Sequence, residues 1–302
     1  MDRLEEAKKP WGGSWTEEKL DAFEKYVDAY LKIMSKQKEN WLKKIIYFDG
    51  FAGCGDRIIN DDVDLQDYSL FPEEEKKDSL VYQGSPERVL KLDKKFDEYI
   101  FNDINESYIE QLKNNLQQKN YDLINCKFVV GDVNSQIQEL SKKLDYKTAA
   151  LVFLDPFGMQ INMKSIEKLK NKRVDLWILV PTGVAINRLL DNKCKLRSSD
   201  KLEQFYGLTE QNIKEILYEN VPEQPNLFDD CDKNNSFKKK RDAVKNCANL
   251  YTNQLKKIFE FVEEPLELRN NNNNIIYHLI FASNNKTALK IANYIISKKR
   301  TK

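Results

Sequence analysis

The chain has 302 residues, with 49 Lys and Arg against 48 Asp and Glu and a formal net charge of +1. That length predicts a main domain of roughly 150–200 residues plus additions, and 41% hydrophobic residues suffice for a buried core, which excludes wholesale disorder. No apolar run approaches the roughly 18 residues a membrane span needs, and Met1–Pro10 lacks the apolar stretch of a signal peptide, so a soluble, cytoplasmic protein with no membrane contact is expected.

Leu20, Phe23, Val27, Tyr30, Leu31 and Met34 recur at helical spacing behind a Ser14-Trp15-Thr16-Glu17 capping box, predicting an amphipathic helix from Ser14 to Met34. Ile45–Asp49 is a short β-branched and aromatic run of the kind a buried parallel strand shows. Residues 56–83 read as an acidic insertion. Gly84-Ser85-Pro86-Glu87 opens a helix, with Ser85 as N-cap and Pro86 at the first helical position. Then strand and helix signals alternate: Tyr99–Phe101, a helix over Ser107–Leu116, Phe128–Val130, a helix from about Ser135, Ala149–Leu154, a helix around Ser165–Leu169, and Val174–Val180. Five strands separated by helices predict an open parallel sheet with right-handed crossovers. Residues 186–258 read as helical, interrupted by a polar loop near Pro222–Ser236. Phe259–Leu268 and Ile275–Phe281 resemble a hairpin around Asn270–Asn274, and a last helix runs from Lys286 to about Ser297.

Cys54, Cys126, Cys194, Cys231 and Cys247 form no Cys-x-x-Cys pair, and His278 is the sole histidine. A zinc site, a disulfide framework and a histidine-dependent triad are disfavoured, which leaves carboxylates, hydroxyls, amides, backbone groups or a cofactor to carry chemistry.

In an open α/β sheet ligands sit outside the carboxyl ends of the strands. Here those ends carry Asp49–Gly55, Asn102-Asp103, Gly131-Asp132, Asp155–Gly158 and Pro181-Thr182. Glycines in the first loop let backbone approach a ligand, although a tight strand-to-helix turn needs them too. Gly53 and Gly55 match the first two glycines of a dinucleotide fingerprint, but Ile58 stands at the third, which disfavours a pyrophosphate. Asp103 lies much farther along than the usual interval of about 20 residues for a ribose-binding acid; the insertion at 56–83 absorbs most of the excess. It can accept from ribose hydroxyls or cap the following helix. Asp132 can accept from an adenine amino group or serve as a turn acid. Asp155-Pro156-Phe157 can place a carboxylate and a ring against a substrate amine, or form a helix start with a buried Phe.

Asp49-Gly-Phe-Ala-Gly-Cys-Gly, Asp103, Gly131-Asp132 and Asp155-Pro-Phe-Gly, in this order, resemble the motifs of class I S-adenosylmethionine-dependent methyltransferases. A closer resemblance is to the three-Cys-motif partner protein family. It rests on Trp15 and Lys19 of a Trp-x-x-x-Lys helix, the loop from Tyr47 to Gly55, the Gly84–Pro86 helix start and Leu154–Gly158, and covers roughly residues 11–190. The resemblance implies an α/β, Rossmann-like class I methyltransferase sheet. With the element order it divides the chain into an N-terminal helical segment (1–40), a core (41–185, with the insertion at about 56–83), a helical insertion (186–258) and a C-terminal hairpin plus helix (259–302).

It further implies S-adenosylmethionine as cofactor. Asp49, Phe51, Gly53 and Gly55 would line its methionine end, Asp103 the ribose, and Asp132 the adenine. Asp155, Pro156 and Phe157 would face the acceptor. Expected partners are a three-Cys-motif protein and nucleic acid, with the chain either a methyltransferase or a non-catalytic subunit of the same fold. Phe157 directly follows Asp-Pro where base-amine methyltransferases carry a second proline, and no Cys follows a proline as cytosine-C5 enzymes require. Basic runs at Lys238–Arg241, Lys164–Arg173 and Lys298–Lys302 are solvated faces or phosphate contacts, with Phe237 and Tyr251 beside the first as possible stacking partners.

Overall fold

A computed structural model describes residues 14–55, 84–191, 194–222 and 235–300. The expected insertion at 56–83, with Ile58, and Cys231 lie outside the described residues. In chain order the main elements are α1 (Ser14–Lys38), β1 (Lys44–Asp49), α2 (Ser85–Leu90), β2 (Glu98–Asp103), α3 (Glu106–Gln118), β3 (Cys126–Val130), α4 (Val133–Lys143), β4 (Thr148–Leu154), α5 (Met163–Glu167) and β5 (Val174–Val180). A π-helical turn (Thr182–Ile186) follows, then α6 (Ser199–Tyr206), α7 (Glu210–Leu217), β6 (Tyr218–Pro222), β7 (Asn235–Lys239), α8 (Ala243–Leu255), β8 (Phe261–Val262), β9 (Leu266–Arg269), β10 (Ile275–Ser283) and α9 (Lys286–Arg300).

The main sheet runs β3-β2-β1-β4-β5-β10-β8, with β9 also paired to β10. The first five strands are parallel and β10 is antiparallel to β5. Both faces are covered, so alternate strand residues divide between two cores. Tyr47, Phe101, Leu151, Phe153 and Trp177 pack with α1, α2, α3 and α9. Ile46, Phe48, Val152, Leu154 and Ile178 pack with α4 to α8. Burial on both faces is why β1, β4 and β5 read as continuous apolar runs. This is the Rossmann-like α/β sheet expected from the order of elements.

α1 lies along the first core. Phe23 stacks on Phe153 with ring centroids 4.0 Å apart, and Tyr26 meets Trp177 and Phe281. The helix runs on to Lys38, past the expected end at Met34, with Lys36 and Lys38 in a last turn whose carbonyls favour cations. Arg88 of α2 reaches back to Glu17, Asp21 and Glu24 of α1. α2 itself begins with Ser85 inside the helix and Gly84 as its N-cap, one residue earlier than expected, which frees the Ser85 hydroxyl for another partner.

Two further expectations are corrected. The 186–258 segment is not wholly helical between its loops: β6 and β7 form an antiparallel ribbon. It stands apart from the main sheet, so its strands, Tyr-Glu-Asn-Val-Pro and Asn-Ser-Phe-Lys-Lys, carry no continuous apolar run to announce them. The expected strand Phe259–Leu268 is divided into β8 and β9. Both lie along β10, and the break falls at Glu263-Glu264-Pro265, where proline has no N–H for the ladder.

The π-helical turn is pressed onto β10. A Cβ on Gly183 would stand 2.0 Å from the carbonyl oxygen of Ile275, a backbone atom that cannot swing away. Gly183→Ala is expected to destabilise the chain by about 3 kcal/mol or more; an unchanged urea midpoint would refute this packing.

Candidate functional site

The crossovers decide where a ligand can sit. The connections β1–β2–β3 carry α2 and α3 on one face, and β3–β4–β5 carry α4 and α5 on the other. The change of face falls between the neighbours β1 and β4. Loops leaving two such strands diverge, opening a crevice at their carboxyl ends. Those loops are Asp49–Gly55 and Asp155–Gly158.

Asp49 is fully buried at the root of the first loop. Its Oδ2 accepts from Ser85 Oγ at 2.6 Å and Tyr47 OH at 3.0 Å, and its Oδ1 accepts from the Phe51 amide at 3.2 Å. Burial pushes this carboxyl up to about 7 despite the three donors, and the nearby Asp155 pushes the same way. Asp49 therefore braces the loop from beneath. Phe51 is half-buried against the second core.

Gly53 has φ +61°, and nothing stands within 4 Å of where its Cβ would be. Its N–H donates to Asp103 Oδ2 at 3.0 Å. Gly55 has φ +84° and abuts Leu112. The loop is also laced to the end of β2: Ala52 N donates to Asn102 O, and Asn102 Nδ2 donates to Gly50 O. Asn102 Oδ1 is buried without a partner.

Asp103 is half-buried, and its other oxygen accepts from the Asn105 amide at 2.9 Å. The cap of α3 is Asn105, whose side chain accepts from Tyr108 N, so Asp103 supports the cap without being it. Asp132 does act as a helix cap: at the N-terminus of α4 its carboxylate accepts from Ser135 N, Ser135 Oγ and Asn134 Nδ2. Beside these acids the side chains of Ile104 (76% exposed) and Val130 stand in solvent at adjoining strand ends, an apolar patch the sequence did not single out.

Across the crevice Asp155 is paired. Lys19 of α1, only 6% exposed at its side chain, donates to Asp155 Oδ2 at 2.6 Å. The ammonium also lies 5.2 Å from the Trp15 ring, which stacks on Tyr277. Pro156 is buried, and Phe157 is half-buried against the first core. Thr182, after β5, is turned inward and shares a 2.7 Å hydrogen bond with His278 Nδ1. Burial lowers that imidazole to about 4, so the single histidine is neutral and structural. Among the described residues no group of three His, Cys, Asp or Glu side chains could hold a metal ion.

The fold thus brings Asp49, Gly53, Gly55, Asp103 and Asp155 to the carboxyl ends of the adjoining strands β1, β2 and β4, while the carboxylate of Asp132 serves its own helix and Thr182 is turned into the core. Lys19, a mark of the family resemblance, Ser85, expected as an N-cap, and Ile104 carry no site role in the sequence reading. A lysine in a helix pattern and a serine before Pro-Glu look like surface and cap residues until tertiary contacts are known.

Removing one partner of a shielded ion pair costs more than removing both. Lys19→Met is expected to destabilise by about 2 kcal/mol, and the double variant Lys19→Met/Asp155→Asn to recover at least half; additive losses would argue against coupling. Asp49 makes a pH prediction. Its raised folded pKa means the folded chain keeps a proton that the unfolded chain loses above the ordinary 3.8. Stability from this group falls as pH rises from about 4 towards 7 and levels off beyond, with Asp175, at about 6, acting in the same direction. In urea melts at about pH 5 and pH 7.5, Asp49→Asn should shrink the fall in unfolding free energy by on the order of 2 kcal/mol.

Neither a family model nor a curated protein sequence matches this chain. Solved structures resemble it at low identity. A Legionella pneumophila protein of family DUF519 is 12% identical, over 92% of this chain and 90% of that one, with a TM-score of 0.44. The spermidine synthase of Thermotoga maritima is 10% identical, over 82% of this chain and 56% of its own, at 0.39. An S-adenosylmethionine-dependent methyltransferase from Clostridium acetobutylicum is 10% identical, over 93% and 96%, at 0.31. By its own strand order this chain is an α/β protein with a mostly parallel, Rossmann-like sheet.

Proposed function

We propose that this chain is an S-adenosylmethionine-dependent methyltransferase, acting on nucleic acid with a three-Cys-motif protein as partner. The cofactor reading is supported by the placement of Gly53, Asp103 and Asp155 at the carboxyl ends of the adjoining strands β1, β2 and β4, with the Gly53 amide bonded to Asp103. The residues fit the group. Gly53 leaves an opening that a side chain would fill, Asp103 stands beside it with a carboxylate suited to ribose hydroxyls, and Ile104 with Val130 offers an apolar surface to a purine ring. S-Adenosylmethionine supplies an activated sulfonium methyl, so no strong protein nucleophile is needed.

Within that reading Asp49 holds the glycine loop in shape through Ser85, Tyr47 and the Phe51 amide. Lys19 fixes the Asp155 carboxylate at the acceptor side and offsets its charge. The Lys238–Arg241 run gives the nucleic-acid part little support. Lys239 Nζ is spent on Asn187 O, Asn187 Oδ1 and Leu190 O, and Lys240 Nζ on Ile216 O, leaving Lys238 and Arg241 as the exposed cations of the run.

One observation favours a second reading, a non-catalytic subunit of the same fold: Asp155 already has an internal cation and does not await a substrate amine. The two separate at the cofactor. Titration calorimetry with S-adenosylhomocysteine is expected to show saturable binding, weakened at least tenfold in a folded Asp103→Ala variant, which is about 1.4 kcal/mol. A folded native chain that releases no binding heat at any temperature tested would sink the enzyme reading.

A further inference from the structure

The opposite end of the sheet holds a second recess. A groove of about 1020 Å³ opens where α1 ends and β5 begins. It lies away from the carboxyl-end crevice, and the proposal above assigns it no part.

Its floor is polar. Tyr26 OH donates to Asp175 Oδ2 at 2.7 Å and Ser283 Oγ to Asp175 Oδ1 at 2.5 Å. Beside them Tyr30, 4% exposed, lines the same groove with a hydroxyl that has no hydrogen-bond partner. A buried hydroxyl left unpaired is costly, and it is a group a ligand can satisfy.

Its rim combines aromatic rings with cations. Trp41 is 38% exposed and Tyr146 is 70% exposed. The Arg173 guanidinium lies over the Trp41 ring at 4.4 Å, and its Nε donates to Tyr146 O, which ties the two aromatics into one patch. Lys147 lies over the Tyr146 ring at 5.1 Å. Lys256 joins Arg173 in the lining, with Lys172 Nζ held by Leu144 O and Lys257 Nζ by Gln254 Oε1, against the exposed carboxylates of Asp145 and Glu260. Rings that stack on bases, a guanidinium plane that does the same, and cations beside them are the means by which proteins hold single-stranded nucleic acid. A lipid surface would ask for an apolar rim, and an acidic peptide has no use for stacking planes.

The geometry points to a nucleotide-binding groove at the amino end of the sheet, in which a base of a single strand enters toward Tyr30 and Asp175 while its phosphates lie against Arg173 and Lys256. The site does not rest on the methyl-transfer reading.

Fluorescence anisotropy of labelled oligothymidylate and oligouridylate with the full chain at low salt tests it. Saturable binding by the native chain is expected, at least tenfold weaker in Trp41→Ala/Tyr146→Ala and in Arg173→Ser, with S-adenosylhomocysteine heats unaltered. Tyr30→Phe separates ligand contact from packing: the unfolding temperature should hold or rise while oligonucleotide binding weakens several-fold. Adenosine monophosphate that displaces the oligonucleotide supports the groove and names a free nucleotide as the source of the chemistry. Absence of binding by the native chain, or equal binding by native and variant chains, overturns the proposal.

Discussion

Covering both faces of one sheet with helices of a single chain forces the winding to change sides, and here it does so between β1 and β4. That reversal is the constraint on which the functional geometry depends. It parts the loops after Asp49 and Asp155 while keeping their strands hydrogen-bonded along their length. It also explains why the acid at the root of the first loop is fully buried. A carboxylate at the end of a strand covered on both sides has no water to face, so Ser85, Tyr47 and a backbone amide must serve it, and burial still raises its proton affinity.

The N-terminal helix works at both poles of the sheet. Near its start Lys19 reaches the carboxyl end of β4; farther on Tyr26 and Tyr30 lie over the amino end of β5. A helix of 25 residues extends roughly 37 Å, enough to run the length of the strands beneath it. Its packing against Phe153, Trp177 and Phe281 fills the stretch between the ion pair at one end and the polar floor at the other. The charges of Glu17, Asp21 and Glu24 around Arg88 pin the same helix to α2, whose first serine supports Asp49.

Much of this was legible beforehand where a periodic signal existed. The central parallel strands show as apolar runs because they are shielded on two sides, and helices such as α3 and α4 show as 3.6-residue patterns because each is shielded on one. The ribbon β6–β7 gave no such signal because it lies outside the main sheet and, of its described side chains, only Tyr218 enters the core, and the break in the expected hairpin strand came from Pro265 and its acidic neighbours. At the site, residue type marked the strand-end acids, but type alone leaves open whether a carboxylate meets a ligand, a helix N-terminus or a lysine. Asp132 turned to its own helix and Asp155 to Lys19, while Asp103 stayed with the glycine loop.

By itself, then, the order of residues determined the fold class, the strands of the parallel sheet and the loops in which chemistry would gather, since those follow from local periodicity and backbone freedom at glycine. Only tertiary structure decided which of those side chains are occupied by the protein's own groups. Partners such as Lys19 and Asp155 stand 136 positions apart along the chain. No local pattern encodes a contact of that range; it exists only once the sheet and the helix above it have packed.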